Sequence, residues 1–596
     1  MFSRIIAFFI SQNINSSNSR KKAVNHFDSL VDEFKFLKYN ISNKYYDIFI
    51  CYEGDIEKII NKTDDKIEFC VGPLTEQYNS GYNVSVNNTE DINDRFLKIL
   101  VSPDGVEIIN DYAGTIPVYY SMRNYLSLSN IEPVTVLDSN SGFEDISYEN
   151  MFGYLKFSHY IWDETLYRHI FVQEPDALFI YKNNKSEPIK TNLNTLKRSD
   201  KLIGASDKKV AEELYLLNEE LVTQSLQNYD EVILPLSAGY DSRLIFASLS
   251  KNKLVKDKLK CFTYGPYKTM DVESAKMLTK KFKIYWKQID FDFEYLKREY
   301  LNQIGMIFGG SLHFHGMYQF EFYNLIKNYF SNKKTVITSG FMTGVPAGQH
   351  ISLLNFKSIN DNLVDKMNNF GQSSYWLIEE FLSTGKFKNS MLDLAESRFR
   401  RAFNKFDGTI NQKSVLFDIW TRQRNFIAYY PRTFEWKLPH ISPHMSPKYI
   451  NFFLSLSDKH LIDRKAVELM LKYHYPELFK IPSGSHNGQP FSTNFMNNKY
   501  HLIKKVFRKL RINKLLPDFY NTIHFDFDVE AVKKYKKDGF WPVFDLKDEV
   551  KSFLNNIFPD KFLNYLYEEA ISGNGKSIGK LVEIEALSYS LKLLSK

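Results

Sequence analysis

From Lys208 to Thr338 the chain alternates between two hydrophobic periods, and that alternation restricts the fold more than any other feature of the sequence. Val210, Leu214, Leu217 and Leu221 recur at helical spacing, Val232-Ile233-Leu234 is a short apolar run of strand type, and Arg243 to Ser250 reads as helix. The pattern continues with strand over 259–264, helix over 271–281, strand over 284–289, helix over 319–330 and strand over 335–338. Repeated βα units build a parallel sheet covered by helices on both faces. Ligands of such sheets sit beyond the carboxyl ends of the strands.

The first two hundred residues read differently. Ile99 to Val101, Val106 to Ile109, Pro117 to Tyr120 and Tyr125 to Leu128 are short β-type runs, the first two joined by Pro103-Asp104-Gly105. They predict a mostly antiparallel region. The apolar run Ile5 to Ile10 after Arg4 is far shorter than a membrane span and short for a signal peptide, and reads as a first buried strand. Asn, Lys, Ser and Thr dominate Asn183 to Asp207, which places a boundary there. Two domains are expected, 1–200 and 201–596, as a chain of 596 residues allows.

Past Asn360 the chain is mainly helical. Leu502, Ile503, Val506, Phe507 and Leu510 form an apolar stripe opposed by Lys504, Lys505, Arg508, Lys509 and Arg511, read as a helix with a solvated basic face rather than a membrane-surface anchor. Lys and Arg number 77 against 70 for Asp and Glu, and a net charge of +7 is too mild to imply a nucleic-acid partner. Cys51, Cys70 and Cys261 lack the short spacings of a disulfide framework or a zinc knuckle, which fits a reducing cytoplasm. No transmembrane segment is expected.

The string Leu236-Ser237-Ala238-Gly239-Tyr240-Asp241-Ser242-Arg243 lies between a strand and a helix. Small residues at 237–239 let backbone N–H groups approach an anion, and the helix start adds partial positive charge. Ser237 and Ser242 add hydroxyl donors, and a carboxylate at Asp241 suits Mg²⁺ beside phosphates. No Gly-Lys-Ser/Thr ending follows, so this is not the loop of kinases and GTPases. The bland alternative is a strand-to-helix turn with Asp241 as its N-cap.

This string resembles the Ser-Gly-Gly-x-Asp-Ser loop of PP-loop ATP pyrophosphatases, and its Tyr-Asp-Ser-Arg ending is similar to asparagine synthetase-related proteins. Thr263-Tyr264-Gly265, with Asp271 and Ala275 on the next helix, resembles the family's second strand and helix, where the strand lies along adenine. Thr338-Ser339-Gly340 and Phe341 to Gly348 stand where the family has a glycine-rich loop carrying an acidic residue. Asp463-Arg464-Lys465, Tyr475 to Leu478 and Lys480-Ile481-Pro482 resemble its basic C-terminal segment. In front, Asn110 to Tyr120 and Thr165 to Ile170 with Pro175 resemble the family's class II glutamine amidotransferase domain.

The resemblance implies an α/β chain with an α+β part: an N-terminal nucleophile-type antiparallel sandwich, then a PP-loop, adenine nucleotide α-hydrolase-like parallel sheet with a helical C-terminal part. It implies ATP and Mg²⁺ as cofactors, with Leu236, Ser237, Ala238, Gly239, Tyr240, Asp241, Ser242, Thr263, Tyr264, Gly265, Ser339 and Gly340 on ATP and pyrophosphate. Asp241 would be the metal ligand, and Asp241, Lys480 and Lys465 the catalytic groups. The reaction implied is adenylation of a small-molecule carboxylate for attack by ammonia or an amine.

Several residues depart from that pattern. Phe2 stands where glutamine hydrolysis needs a cysteine, so no glutaminase activity is expected and a separate ammonia source, or an amine on the substrate, would supply nitrogen. Ala238 replaces a second glycine. Gly344 and Val345 stand where acidic side chains are expected, which leaves a non-catalytic nucleotide- or partner-binding scaffold as the alternative. Amidation of a uronic acid for surface polysaccharide is a further alternative within the family. Base or carbonyl adenylation, as in tRNA-modifying relatives, fits the mild charge poorly.

Other candidates are weaker. His440 and His444, among Pro439 and Pro443, are expected in a loop lining the acceptor pocket rather than on zinc, and His313 and His315 as core or surface residues. Arg422, Arg424 and Arg432 among Phe426, Tyr429, Tyr430 and Trp436 suit an anionic substrate and ordinary helix packing equally.

Overall fold

The computed structural model describes residues 3–13, 20–63, 65–73, 85–138, 141–183, 185, 187–290, 298–309, 322–330, 334–351, 388–484, 489–490, 530, 533, 537, 548–572 and 575–595. Phe2, His313, His315 and the 502–511 stripe lie outside these residues.

Among the described residues the front half carries twelve strands. They are β1 (Arg4–Gln12), β2 (Leu37–Ser42), β3 (Tyr46–Glu53), β4 (Ile60–Lys62), β5 (Ile67–Val71) and β6 (Leu97–Ser102). Then come β7 (Gly105–Asn110), β8 (Tyr119–Ser121), β9 (Ser127–Ser129), β10 (Phe171–Val172), β11 (Ala177–Lys182) and β12 (Ile189–Asn192). They form two six-stranded sheets, ordered β10-β8-β9-β1-β3-β2 and β12-β11-β7-β6-β5-β4, with antiparallel pairing throughout. The expected strand at Ile5 to Ile10 is β1, buried on both faces. Ile5, Phe8 and Ile10 enter the core between the sheets, whereas Ile6, Ala7 and Phe9 face helices. A strict two-residue period would not divide them so; a register shift between Ile5 and Ala7 does. The polar stretch 183–207 is not all linker, because β12 falls within it and pairs with β11.

The second half builds β13 (Glu231–Pro235), β14 (Leu259–Tyr264), β15 (Tyr285–Ile289), β16 (Thr335–Thr338) and β17 (His440–Ile441) into one sheet of order β15-β14-β13-β16-β17. Every pairing is parallel. Helices Asp207–Leu226, Tyr240–Lys251 and Met270–Phe282 match the expected elements within a few residues. Ser206 caps the first of them through its hydroxyl, which accepts from Lys209 N–H. Strand β17 falls in the proline-flanked segment read as a loop; two residues on a sheet edge tolerate Pro439 in front of them.

The halves share their interior. One core cluster joins β1 residues, the Lys21–Phe34 and Tyr148–Phe157 helices, Tyr429 and Trp436, and the C-terminal helices Asp548–Ile557, Asp560–Ile571 and Gly575–Leu594. Those last helices pack on the front half. Arginines reinforce the junction: Arg4 donates to Glu435 O (2.6 Å), Arg424 to Gly114 O (3.2 Å) and Gln173 O, and Arg432 to Asn130 O (3.3 Å). Arg424 and Arg432 are thus buried packing residues rather than an anion site. Among the described residues no helix is long and apolar enough to cross a membrane.

Candidate active site

In the order β15-β14-β13-β16-β17 the chain winds one way from β13 to β14 and the other way from β13 to β16. The crevice beyond the carboxyl ends of β13 and β16 is therefore the switch point at which open parallel sheets bind ligands. A cavity of about 300 Å³ lies there, lined by Leu236, Ser237, Asp241 and Ser242 after β13, Thr263 and Tyr264 of β14, and Ser339, Gly340 and Phe341 after β16. Ile427, Tyr430 and Phe434 close it. Ile427 ends a π-helical stretch, Ile419–Ile427, an irregularity frequent at functional sites.

Within the loop, Ser242 Oγ accepts from Ser237 N–H (3.1 Å), and the two hydroxyls lie 2.9 Å apart. Gly239 N–H donates to Ser237 Oγ (3.2 Å). Gly239, not Asp241, is the N-cap of the Tyr240–Lys251 helix, and no side chain caps it, so first-turn N–H groups remain for an anion. A Cβ at Gly239 would meet only Ser237 Oγ, at 3.4 Å, so the protein itself does not require glycine there. Ala238 has no left-handed backbone, which explains why a methyl is accepted in place of glycine. Its carbonyl accepts from Gly484 N–H (3.0 Å) and Ser483 Oγ (2.9 Å).

Two residues outside the string shape it. Asp271 Oδ1 accepts from Ala238 N–H at 2.7 Å, so a carboxylate sits on a loop amide. Arg243, fully buried, donates to Ile481 O (2.8 Å), Pro482 O (2.6 Å), Leu478 O (3.3 Å) and Ser274 Oγ (3.0 Å). It ties the loop's helix to the 478–482 segment, and burial lowers its pKa to about 9.

Asp241 Oδ1 is buried with no hydrogen-bond partner among the described residues. Burial pushes this carboxyl up to about 6, against the opposing pull of Arg464 and His350. Arg464 lies with its guanidinium 4.2 Å from the Tyr240 ring centroid, and its Nε, like Asp241 Oδ1, is buried with no hydrogen-bond partner among the described residues. Gly340 packs directly on Asp241: a Cβ there would meet the Asp241 carbonyl carbon at 2.5 Å. Among the described residues no group of three His, Cys, Asp or Glu side chains gathers as a metal centre. One unpartnered carboxylate oxygen still fits Mg²⁺ on a nucleotide, since that ion uses one or two carboxylates with phosphates and water.

Thr263 Oγ1 donates to Leu236 O (2.7 Å) and accepts from Trp286 Nε1 (3.0 Å), holding β14 against the loop. Gly265 follows with φ +117° and donates to Ile289 O (2.9 Å). The lysines do not join this group. Lys465 pairs with Glu468 (3.1 Å) on its own helix and Lys480 is exposed; neither lines the cavity, and Arg464 is the cation whose field reaches Asp241.

His440 and His444 are fully buried and do not line an acceptor pocket. Thr343 Oγ1 (2.6 Å) and Asn218 Oδ1 (2.7 Å) satisfy both nitrogens of His444, whose pKa burial lowers to about 3. Arg95 Nη2 lies 3.0 Å from His440 Nδ1, and His440 Nε2 lies 2.9 Å from Ser339 Oγ. Arginine only donates, so Nδ1 accepts, Nε2 carries the proton and Nε2–H donates a hydrogen bond to Ser339 Oγ. Cys51, Cys70 and Cys261 are all buried, and burial raises each thiol, Cys70 to about 12.

No protein-family model matches the chain, and no curated protein sequence is similar to it. Among solved structures it is similar to an NH3-dependent NAD synthetase from Campylobacter jejuni, at 16% identity and a TM-score of 0.19, covering 34% of this chain and 98% of that one. It is also similar to a glutamine phosphoribosylpyrophosphate amidotransferase from B. subtilis, at 7% identity and a TM-score of 0.21, covering 57% and 77%.

Proposed function

We propose that the protein is an ATP-dependent, AMP-forming amide synthetase of the asparagine synthetase type, with a PP-loop domain behind an amidotransferase-like front half that does not hydrolyse glutamine. The observation that carries this reading is the Ser237–Ser242 loop at the sheet's switch point, opening an uncapped helix with an unpartnered Asp241 oxygen beside it.

Pyrophosphate is held by the Ser237 and Ser242 hydroxyls and the first-turn N–H groups, and Thr263, Tyr264 and Gly265 run along adenine. Asp241 would hold Mg²⁺, which when bound would supply neutralising charge for the phosphates. The substrate carboxylate attacks the α-phosphate; its C–O oxygen bonds to phosphorus as the bond to pyrophosphate breaks. Ammonia or a substrate amine then displaces AMP. Tyr430, Phe434 and Phe341 exclude water from the activated carbonyl.

A second reading, a scaffold that binds nucleotide without turnover, is favoured by Asp271 on the loop amide and by Gly344 and Val345 in place of acids. ATP–pyrophosphate exchange separates the two. Wild type and Asp241→Asn are assayed across aspartate, uronic acids and amino-acid carboxylates. Exchange that needs one carboxylate and vanishes in the variant is the expected result. ATP binding without exchange on any carboxylate would favour the scaffold.

A further inference from the structure

The absent acid at position 344 leaves a space, and its surroundings show what occupies it. A Cβ on Gly344 would meet Gln349 Oε1 at 2.1 Å and Asp241 Oδ1 at 2.6 Å. Measured from one point, the two oxygens are at most about 4.7 Å apart, and any separation up to about 4.2 Å is one that a single hexacoordinate Mg²⁺ bridges with bonds of about 2.1 Å. The turn that brings Gln349 back is fixed by its own backbone, with Gln349 N–H donating to Gly344 O (3.1 Å) and Gly348 N–H to Val345 O (2.9 Å). Gly348, at φ +89°, lies so close to Leu461 O that no side chain fits, which sets the turn's position.

We propose that Asp241 and Gln349 form a divalent-cation site in which the Gln349 amide oxygen replaces the carboxylate missing at 344. The site would take Mg²⁺ or Mn²⁺ together with nucleotide phosphates, so the proposal rests on reading the cleft as a nucleotide site. Three features support it. Asp241 Oδ1 is buried and unpartnered, and two acceptor oxygens facing one point need a cation, a proton or a turned amide between them. A neutral amide beside one carboxylate gives a weakly charged pair, suited to an ion that arrives with phosphate charge. Glycine at 344 is then a requirement of the arrangement, since a methyl would push both oxygens aside.

The charged groups facing Asp241 are Arg464 and His350. His350 Nδ1 is engaged by Asp418 Oδ2, and Arg464 Nε has no hydrogen-bond partner among the described residues, so neither fills the space.

The test titrates Mn²⁺ into the full-length protein by electron paramagnetic resonance, alone and with α,β-methylene-ATP. Binding of the analogue in EDTA and thermal melting are measured separately. Gln349→Leu should weaken Mn²⁺ about tenfold, Gln349→Glu should tighten it, and Asp241→Asn should abolish it, with Gln349→Leu binding metal-free analogue as wild type does. Wild-type Mn²⁺ affinity in Gln349→Leu overturns the proposal. So does weaker binding in Gln349→Glu, which would assign the Gln349 NH2 as a donor to Asp241. If no form binds the analogue, the nucleotide reading fails; Mn²⁺ binding that still needs both residues would leave the cation site standing.

Discussion

Replacing Asp271 with alanine frees a loop amide and should strengthen nucleotide binding in the absence of metal. In the structure Ala238 N–H donates to the Asp271 carboxylate at 2.7 Å, and a phosphate oxygen can take that donor only after this contact breaks. A hydrogen bond to a charged acceptor is worth about 1.5–3 kcal/mol when sheltered. Asp271 is exposed as a residue, although burial of its carboxyl raises its pKa, and partial screening lowers the figure to about 1–1.5 kcal/mol. Since 1.4 kcal/mol is tenfold, the gain for Asp271→Ala is about five- to tenfold. Asp271→Asn keeps an acceptor and loses only charge, so it should gain less. The cost to the Met270–Phe282 helix of losing a first-turn acid is about 0.3–1 kcal/mol, too little to disturb the fold. Isothermal titration of α,β-methylene-ATP in EDTA reads the effect directly. Weaker binding in Asp271→Ala would mean that this carboxylate assists the phosphates, and the account of an occupied amide would be wrong.

Arg243→Leu removes three hydrogen bonds to carbonyls, leaving Ile481 O without its donor while Leu478 O keeps Ile481 N–H and Pro482 O keeps Ser274 Oγ, a loss of roughly 2–3 kcal/mol. A chain of this size does not unfold in one step, so hydrogen exchange is the readout: amides of 478–484 should lose protection, and unchanged protection would refute the tie. His444 should not titrate between pH 5 and 8 by NMR. Its folded pKa near 3 lies below the unfolded 6.5, so the unfolded state binds the extra proton and this residue's contribution to stability falls as pH drops below about 6.5. A ring midpoint near 6.5 in the native protein would contradict its burial. Cys51, Cys70 and Cys261 should all resist a thiol reagent until the protein is denatured, and fast labelling of any one would show an opened core. Residues 201–596 expressed alone should aggregate, because the 548–594 helices lose the apolar surface they pack on; a monodisperse fragment with wild-type melting would refute the shared core.

The parallel sheet was legible because its strands and helices differ in hydrophobic period, and burial in both kinds of element enforces those periods. The placement of the 236–243 string between a strand and a helix was legible for the same reason, since each flanking element carries its own period. What escaped was set by long-range contact. Strand β17 is two residues beside a proline and has no period of its own. Arg424 and Arg432 stand among aromatics, a pattern equally consistent with an anion site, and only their carbonyl partners in the front half decide it. Lys480 and Lys465 follow a sequence resemblance, but the turn through Asp463 and Arg464, both with left-handed backbone, directs Arg464 toward Asp241 and leaves Lys465 on its helix surface. Gln349 carried no signal, because one glutamine in a loop gains meaning only from the glycine it faces.

The front half reaches the cleft through two hydrogen bonds in series, from Arg95 to His440 and from His440 to Ser339. Arg95 is fully buried, pairs with Glu435 (2.7 Å), and donates to both His440 Nδ1 and His440 O (2.6 Å). Those contacts hold His440 neutral with its proton on Nε2, as burial and the Arg95 charge also demand. Ser339 Oγ accepts a hydrogen bond from His440 Nε2–H (2.9 Å) and another from Phe341 N–H (3.3 Å). With both acceptor positions of the hydroxyl used, its own O–H can only donate, and Ser339 lines the cavity. An arginine of the front half thus fixes the polarity of a hydroxyl in the cleft of the other half. The front half is tied to the cleft by this contact and by the shared core, and losing it would unset the loop after β16 that carries Ser339, Gly340 and Gly344.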